Sequence, residues 1–223
     1  MTSTRRSTEA RRAEIADAAL RLIGQRGIAA LTVNTLAAEL GLTGGALYRH
    51  FPSTDAILEA VAARAVELLD ASTPSPDLAG RAWIRQLAAT RTATVGGHAG
   101  LSRLLLSDQF AFALPAPAVA LLAGAVRKTR EGILRAITEG QRLGEIRDDV
   151  PATALAPIVL GTIQMIAIHR AGPLLPRVEG DALGLIDTLL TLLAPGDLKA
   201  PKADAPEPTP RKTDTPVTKK KRR

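Results

Sequence analysis

Apolar residues recur at helical spacing along most of the chain. The first stripe repeats at i, i+3, i+4, i+7 and i+8 and consists of Ile15, Ala18, Ala19, Leu22 and Ile23. Such a stripe is typical of a helix that buries one face. Ser7 or Thr8 can cap the start of this helix, and Gly27 can stop it. The pattern therefore predicts a first helix between these positions.

Two short helices with a tight turn between them are predicted next. Thr32 can cap a helix that carries Leu36, and Gly41 can adopt the left-handed conformation at its end. Thr43 can cap a third helix almost at once. Only about three residues, the first of them glycine, separate the two helices, and this is the spacing of a helix-turn-helix.

Longer helices are predicted for the rest of the chain. Ser53 or Thr54 can begin a long helix directly after Pro52. The apolar stripes predict helices at about 54–70, 78–95, 99–113, 119–143, 152–171 and 180–194. Pro115 and Pro117 separate two of them. The last two helices carry few charges, so we expect them to pack against a partner surface.

Composition favours an all-α chain with one unstructured end. Of the 223 residues, 46% are hydrophobic but only 2% are aromatic, so small and aliphatic side chains at helical spacing must fill the core. From Gly196 onward Lys, Pro, Ala, Thr and Asp dominate, and the chain closes with Lys219 to Arg223, which are all basic. Such a segment cannot bury apolar surface, so we expect a disordered basic tail at 196–223.

The net charge of +7 is unevenly placed. Residues 1–50 carry seven basic against four acidic residues, 51–196 carry thirteen against fourteen, and 197–223 carry nine against four. Basic ends suit a protein that binds a polyanion, because each Lys or Arg set against a phosphate releases counterions. A protein with no more than a basic tail has the same balance, so charge alone leaves the partner open.

The sequence pattern argues against several kinds of chemistry. The chain has no cysteine, which excludes disulfides and thiolate metal sites and suits a reducing cytoplasm. His50, His98 and His169 lack the neighbours of a metal site, and no catalytic triad, carboxylate pair or phosphate-binding loop stands out. We therefore expect no enzyme activity, no cofactor and no metal. Prolines interrupt the apolar stretch 150–168, so we expect a buried helix there and not a membrane span.

The segment from Thr8 to Leu58 resembles the DNA-binding domain of the TetR family of transcriptional regulators. The resemblance rests on the spacing of residues 15–20 (Ile-Ala-Asp-Ala-Ala-Leu), Gly27, Thr32-Val33, Leu36-Ala37, 40–43 (Leu-Gly-Leu-Thr) and 47–51 (Leu-Tyr-Arg-His-Phe). It implies an all-α chain with a three-helix helix-turn-helix DNA-binding domain at 1–53. A larger helical ligand-binding and dimerisation domain at 54–195 and the basic tail at 196–223 would follow.

The candidate residues for contact with DNA lie in the second and third predicted helices. They are Thr32, Asn34, Thr43, Gly44, Gly45, Ala46, Tyr48, Arg49 and His50. The resemblance implies that Tyr48 and His50 hold the sugar-phosphate backbone, while Arg49 can reach a guanine edge or a phosphate. Small side chains at 44–46 allow the helix backbone to approach the major groove closely. The alternatives without DNA contact are that the glycines only loosen the turn, that Asn34 is solvated and that His50 packs between helices.

One position departs from the family pattern. Thr54 stands where the family usually has a lysine, so it can cap a helix but brings no charge. The loss of one cationic phosphate contact weakens sequence-independent affinity and its salt dependence. The arginine-rich N-terminus and the basic tail are the candidates that could compensate.

The second part of the chain indicates a class of function but no particular ligand. The side chains able to read a ligand inside an aliphatic bundle are Trp83, Arg103, Gln109, Phe110, Phe112, Gln164, Met165 and His169. Each of them could also be a core or surface residue. Arg103 or Arg170 would be the first candidates if the ligand were anionic, and the aliphatic lining would suffice for an apolar one.

Together these observations predict a ligand-responsive repressor that binds a palindromic operator as a homodimer and is released by a small-molecule effector. Its expected partners are double-stranded operator DNA, a second copy of the chain and an unknown effector, with no membrane and a cytoplasmic, nucleoid-associated location. The alternative is a sequence-nonspecific, nucleoid-type DNA-binding protein, whose affinity would be nearly independent of sequence. A regulator of the same fold that activates, or that has no ligand, is also open.

Overall fold

The computed structural model describes residues 2–106, 112–171 and 182–196, and the regular structure in these ranges is helical. The helices are α1 (Thr2–Arg26), α2 (Val33–Glu39), α3 (Gly44–Tyr48), α4 (Thr54–Ala71), α5 (Gly80–Gly97), α6 (Ala99–Leu106), α7 (Ala116–Arg142), α8 (Ala152–Ala171) and α9 (Ala182–Leu192), with a 3₁₀ turn at Ile28–Ala30. The predicted all-α fold is confirmed. Of the basic tail predicted at 196–223, residues 197–223 lie outside the described residues.

The first helix, α1, is longer than the sequence pattern predicts. Its apolar stripe from Ile15 to Ile23 is buried as expected, and the helix ends just before Gly27, which has a φ of 81°. Its start, however, lies at Thr2 and not at Ser7 or Thr8. No proline or glycine stands between residues 2 and 8 to interrupt a helix, so both expected cap residues lie inside it.

The long helix α7 begins three residues before the predicted Val119. Pro115 occupies its cap position and Pro117 lies in the first turn. A proline in the first turn breaks no helical hydrogen bond, because the N–H groups there have no partner within the helix. The two prolines therefore lie at the start of α7 and do not delay it until Val119.

Two clusters of buried side chains hold the helices together. The first includes Leu47, Val61 and Leu101, and it joins α1 to α4 with the end of α5, with α6 and with the start of α7. The second includes Ile137 and Val159 and joins α5, α7, α8 and α9. The first cluster thus continues from the helix-turn-helix into the helices behind it. The division of the chain at residues 53 and 54 stays a prediction.

The start of α6 packs directly on the backbone of α1. A Cβ atom on Gly100 would overlap with the carbonyl group of Leu20, and one on Gly24 would lie 2.6 Å from the amide nitrogen of Gly100. Glycine is required at this crossing because the two backbones touch. A displacement of α6 must therefore displace α1 as well.

The helices α8 and α9 bury one face each. Val159 and Ile163 of α8 are buried, whereas Ile158 and Met165 are 57% and 50% exposed. The prediction of a buried helix at 150–168 therefore holds for one face of α8 only, because the other face is exposed in a single copy of the chain. Within the described ranges no helix has the length and apolarity needed to cross a membrane.

Candidate nucleic-acid interface and internal cavity

The start of α2 is fixed by a reciprocal cap. Thr32 Oγ1 accepts a hydrogen bond from the amide of Thr35 at 3.1 Å, and Thr35 Oγ1 accepts one from the amide of Thr32 at 3.0 Å. The Thr35 hydroxyl also donates to the carbonyl of Ala30 at 2.6 Å. The amide of Thr35, which has no acceptor within the helix, is satisfied in this way, and the amide of Thr32 gains a second acceptor beside the Ala30 carbonyl at 3.1 Å. The hydroxyl of Thr32, predicted to contact DNA, is thus engaged in the cap while the residue stays exposed.

The turn between α2 and α3 is built on Gly41. This residue has a φ of 64°, the left-handed conformation that the sequence predicts. The amide of Leu42 donates to the carbonyl of Ala37 at 2.8 Å, and the amide of Gly41 donates to that of Ala38 at 3.2 Å. These two bonds form a Schellman motif, which ends a helix and sets the direction of the next segment. The helix-turn-helix predicted from the sequence is therefore confirmed.

The third helix, α3, is short and anchored on its inner side. Thr43 Oγ1 accepts a hydrogen bond from the amide of Ala46 at 3.2 Å, which caps the helix as predicted. Leu47 and Phe51 are fully buried. The guanidinium of Arg12 lies 4.8 Å from the centre of the Phe51 ring and fastens α1 to the end of this segment.

The outer side of this segment presents three polar side chains without internal partners. Tyr48 is 52% exposed, Arg49 is exposed and His50 is half-buried. None of them forms a hydrogen bond or ion pair with another described residue. An arginine free of internal partners can donate to phosphate or to a guanine edge, and a phenol or imidazole can donate to a phosphate oxygen. The surface thus suits a nucleic acid.

Gly44 and Gly45 are not explained by the fold itself. Neither has a positive φ. A Cβ on Gly44 would meet Val33 and Asn34 at ordinary distances of 3.6 and 3.9 Å, and one on Gly45 would meet nothing within 4 Å. Alanine would favour the helix by up to about 1 kcal/mol at each position. Open space in front of α3 therefore supports the hypothesis of close approach by a partner. Asn34 is exposed beside it.

The start of α4 lies next to the same surface. Ser53 Oγ accepts a hydrogen bond from the amide of Ala56 at 3.1 Å. Of the two predicted cap residues, Ser53 is therefore the one that caps, and Thr54 is the exposed first residue of the helix. The lysine that the family usually has at this position would carry its charge to this surface. Thr54 carries none.

A narrow apolar cavity lies between α4, α5, α6, α7 and α8. The space between its walls is about 550 Å³ with the solvent at its mouth included, but only about 40 Å³ of it is open to the centre of a water molecule. Its walls are formed by Leu69, Leu87, Arg91, Val95, Leu105, Val126, Thr129, Leu160, Ile163, Gln164 and Ala167. A mostly aliphatic lining with a few polar groups is typical of sites for small organic molecules. The end of α4 and the end of α6 both contribute to the wall.

The predicted ligand-contacting residues are scattered across the described structure. Gln164 lines the cavity. Trp83 lies in the second cluster of buried side chains. A Cβ atom on Gly132 would lie 2.7 Å from the Trp83 ring. Arg103 is exposed, and its guanidinium points towards Gly27 near the end of α1. Only the first of these three is placed to touch a molecule in the cavity.

Phe112 and Met165 are predicted ligand residues that point to solvent in a single chain. Phe112 is 91% exposed, and Met165 lies on the open face of α8. Gln109 and Phe110 lie outside the described residues, as does the side chain of His169. No group of three or more His, Asp or Glu side chains within the described ranges is arranged to hold a metal ion.

Arg91 is the cavity residue that the sequence analysis missed. It lies on α5 and is only 8% exposed. The signal for its burial was present, because it falls four residues after Leu87 and four before Val95, on the apolar stripe of its helix. Arginine is almost never fully buried without a partner, so an arginine at such a position is a candidate functional residue.

The comparisons with known proteins agree with this geometry. Residues 15–61 match the family model of the bacterial regulatory proteins, tetR family. No curated protein matches the sequence. Since a match over this segment includes the whole helix-turn-helix, the N-terminal part of the chain is a TetR-type DNA-binding domain.

Solved structures resemble nearly the whole described chain. AibR in complex with isovaleryl coenzyme A and operator DNA has a TM-score of 0.69 and 21% identity, over 83% of this chain and 98% of that chain. The ketosteroid transcriptional regulator KstR2 of Mycobacterium tuberculosis has a TM-score of 0.65 and 18% identity, over 82% and 92%. A putative transcriptional regulator from Saccharomonospora viridis in complex with choline has a TM-score of 0.66 and 23% identity, over 82% and 95%. The described part of this chain therefore shares its fold with these three proteins.

Proposed function

We propose that this chain, whose residues 15–61 are a TetR-family DNA-binding domain, is a ligand-responsive repressor. It binds a palindromic operator in the cytoplasm as a homodimer and is released by a small-molecule effector. The observation that carries the proposal is the course of α4. This helix begins at Thr54, beside the DNA-facing surface, and its last turn places Leu69 in the wall of the cavity. One rigid element therefore connects the two candidate sites.

A second connection runs through α6. Its end contributes Leu105 to the cavity, and its start packs through Gly100 on the backbone of α1. A molecule in the cavity can therefore act on the DNA-binding part through α4 or α6, because both helices contribute to the walls. The effector shifts the equilibrium to the extent that it binds the moved state more tightly than the DNA-binding state.

The open face of α8 supports the homodimer. Ile158 and Met165 lie on that face with Gly161 between them, and all three are exposed. An uncharged, partly apolar helix face of this kind is typical of a surface that packs against a second copy in a helix bundle. Two copies are also required physically, since one helix-turn-helix reads too few base pairs for useful affinity.

The relatives with bound ligands support the sensing role in general terms. The solved AibR complex holds both isovaleryl coenzyme A and operator DNA, and the regulator from Saccharomonospora viridis holds choline. These two ligands differ in size and charge, so the shared fold accommodates different ligands. The effector of this chain must therefore be inferred from its own cavity.

Footprinting of the purified full chain on the DNA upstream of its own gene tests the proposal. The assay uses excess random competitor DNA at physiological salt. A discrete, two-fold symmetric footprint is expected. Arg49→Ala should abolish or strongly weaken the footprint, whereas Arg130→Ala, which removes an exposed arginine on α7, should leave it unchanged. If the random competitor removes all of the protein from the upstream DNA, so that no footprint remains, the result favours the nucleoid-type alternative, in which affinity is independent of sequence.

A further inference from the structure

Arg91 places a positive charge in the wall of an apolar cavity. The residue is 8% exposed and lies among aliphatic side chains such as Leu87, Val95 and Ile163. Burial lowers the pKa of its guanidinium to about 10, with Asp70 as a weaker opposing influence. The group therefore still carries its charge at neutral pH, although removing it from water is costly.

The hydrogen bonds of Arg91 are incomplete. Nη2 donates to the carbonyl oxygen of Leu69 at 3.1 Å, while the buried Nε has no partner among the described residues. In Arg64, by comparison, the same Nε and Nη2 edge donates to both carboxylate oxygens of Asp17, at 2.7 and 3.3 Å. The edge that binds a carboxylate in Arg64 is thus only half used in Arg91, the more buried of the two.

No described carboxylate accepts a hydrogen bond from the Nε and Nη2 edge of Arg91. Asp70 is the acidic residue whose charge acts on Arg91, and its carboxylate forms an ion pair with Lys128 at 2.8 Å. The negative end of α4 supplies part of the compensation, because the Leu69 carbonyl belongs to the last turn of that helix. An unpaired buried Nε–H still costs free energy, which an acceptor from outside the chain would recover.

We propose that the effector is an apolar molecule with a single carboxylate, and that this carboxylate binds the Nε and Nη2 edge of Arg91. The inference rests on the proposed role of the cavity and names the chemistry of the molecule that enters it. The apolar part lies against the aliphatic wall that includes Val126, Leu160 and Ile163. A cationic effector such as choline does not fit, because it would add a second buried positive charge beside Arg91.

The position of Arg91 also gives the carboxylate a route to the DNA-binding surface. The Leu69 carbonyl that accepts from Arg91 also accepts from the amide and hydroxyl of Ser72 and from the hydroxyl of Thr73. A carboxylate on the same guanidinium edge competes with this carbonyl for Nη2. The carboxylate therefore acts directly on the C-terminal end of α4. The N-terminal end of α4 lies beside the surface formed by α3.

Calorimetric titration of the full chain with matched ligands tests the inference. Hexanoate, octanoate and decanoate are each compared with the alcohol and the alkylamine of the same chain length. The acid of the best-fitting length should bind more tightly than its alcohol by about tenfold or more, the difference expected from a charge-assisted hydrogen-bonded pair. The amine should bind least.

Variants locate the effect. Arg91→Met should lower the affinity for the acid by about tenfold or more and leave that for the alcohol nearly unchanged, and Arg91→Lys, which keeps the charge but not the bidentate edge, should fall between. Arg103→Met is the matched control, since it removes an arginine outside the cavity and should not alter binding of the acid. Thermal unfolding of each variant shows whether it is folded, and Arg91→Lys provides a second variant if Arg91→Met is not.

Three results would overturn the inference: equal affinity for acid and alcohol, an acid affinity that does not depend on Arg91, or failure of all the acids to bind. The proposed function is tested separately by release of the operator footprint. Acid that binds through Arg91 without releasing the operator would support the carboxylate site and contradict the effector role.

Discussion

Replacing Arg91 by methionine should stabilise the protein in the absence of effector. Burial lowers the pKa of Arg91 to about 10, which corresponds to an unfavourable contribution of about 3 kcal/mol to the folded state. The variant loses the hydrogen bond to Leu69, worth about 1 kcal/mol, but that carbonyl keeps its bonds from Ser72 and Thr73. We therefore expect the free energy of unfolding to rise by about 1 to 2 kcal/mol.

The sign of the effect also fixes its pH dependence. The folded-state pKa of Arg91 is lower than the unfolded one, so the unfavourable contribution is fully present below pH of about 10 and is relieved only as the pH rises from there towards the unfolded value. The stability difference between Arg91→Met and the parent chain should thus be constant around neutral pH. Urea unfolding at fixed protein concentration measures it.

Arg64→Met is the control with the opposite expected sign. The hydrogen bond to Asp17 is the main reason that the pKa of Arg64 is raised, with Glu67 as a second partner. Removal of Arg64 should therefore destabilise the chain, by about 0.5 to 1 kcal/mol at this partly exposed site. If Arg91→Met proved as destabilising as Arg64→Met, Arg91 would be a structural link between α4 and α5. The reasoning that its Nε lacks a partner and awaits an acceptor from outside the chain would then be refuted.

Three further substitutions test the other parts of the structure. Gly45→Ala should raise helix stability by up to about 1 kcal/mol yet weaken operator binding severalfold in a gel-shift assay, and unchanged binding would show that the open space at α3 is not used by DNA. Gly100→Ala should destabilise the chain by about 1 to 3 kcal/mol in urea because its Cβ overlaps with Leu20, whereas Gly97→Ala, which has nothing within 4 Å, should not; equal effects would contradict the close contact of α1 and α6. Ile158→Asp should shift the chain from dimer to monomer by light scattering, since it buries a charge in the proposed interface, and an unchanged mass would exclude the open face of α8 from that interface.

The helix-turn-helix and most helix positions could be predicted from the sequence alone. The caps at Thr32 and Thr43 and the left-handed Gly41 each act within about five residues, so the printed sequence contains all the partners that they need. The same locality explains the two boundary errors. Ser7 and Thr8 could cap a helix, but nothing before them forbids one, and Pro117 is compatible with a first turn as well as with a break.

Which side chains line the cavity depends on how the helices pack in three dimensions. Trp83 and Gln164 were equal candidates in the sequence, yet one packs on Gly132 in the core and the other lines the cavity. Arg103 and Arg91 are both arginines on helices with apolar stripes, but Arg103 faces outward and Arg91 faces the cavity. The cavity walls come from five helices that are distant in the chain, and their side chains converge only through the relative rotation and crossing of those helices. Helical periodicity predicts the buried face of each helix, but it does not predict what that face is buried against.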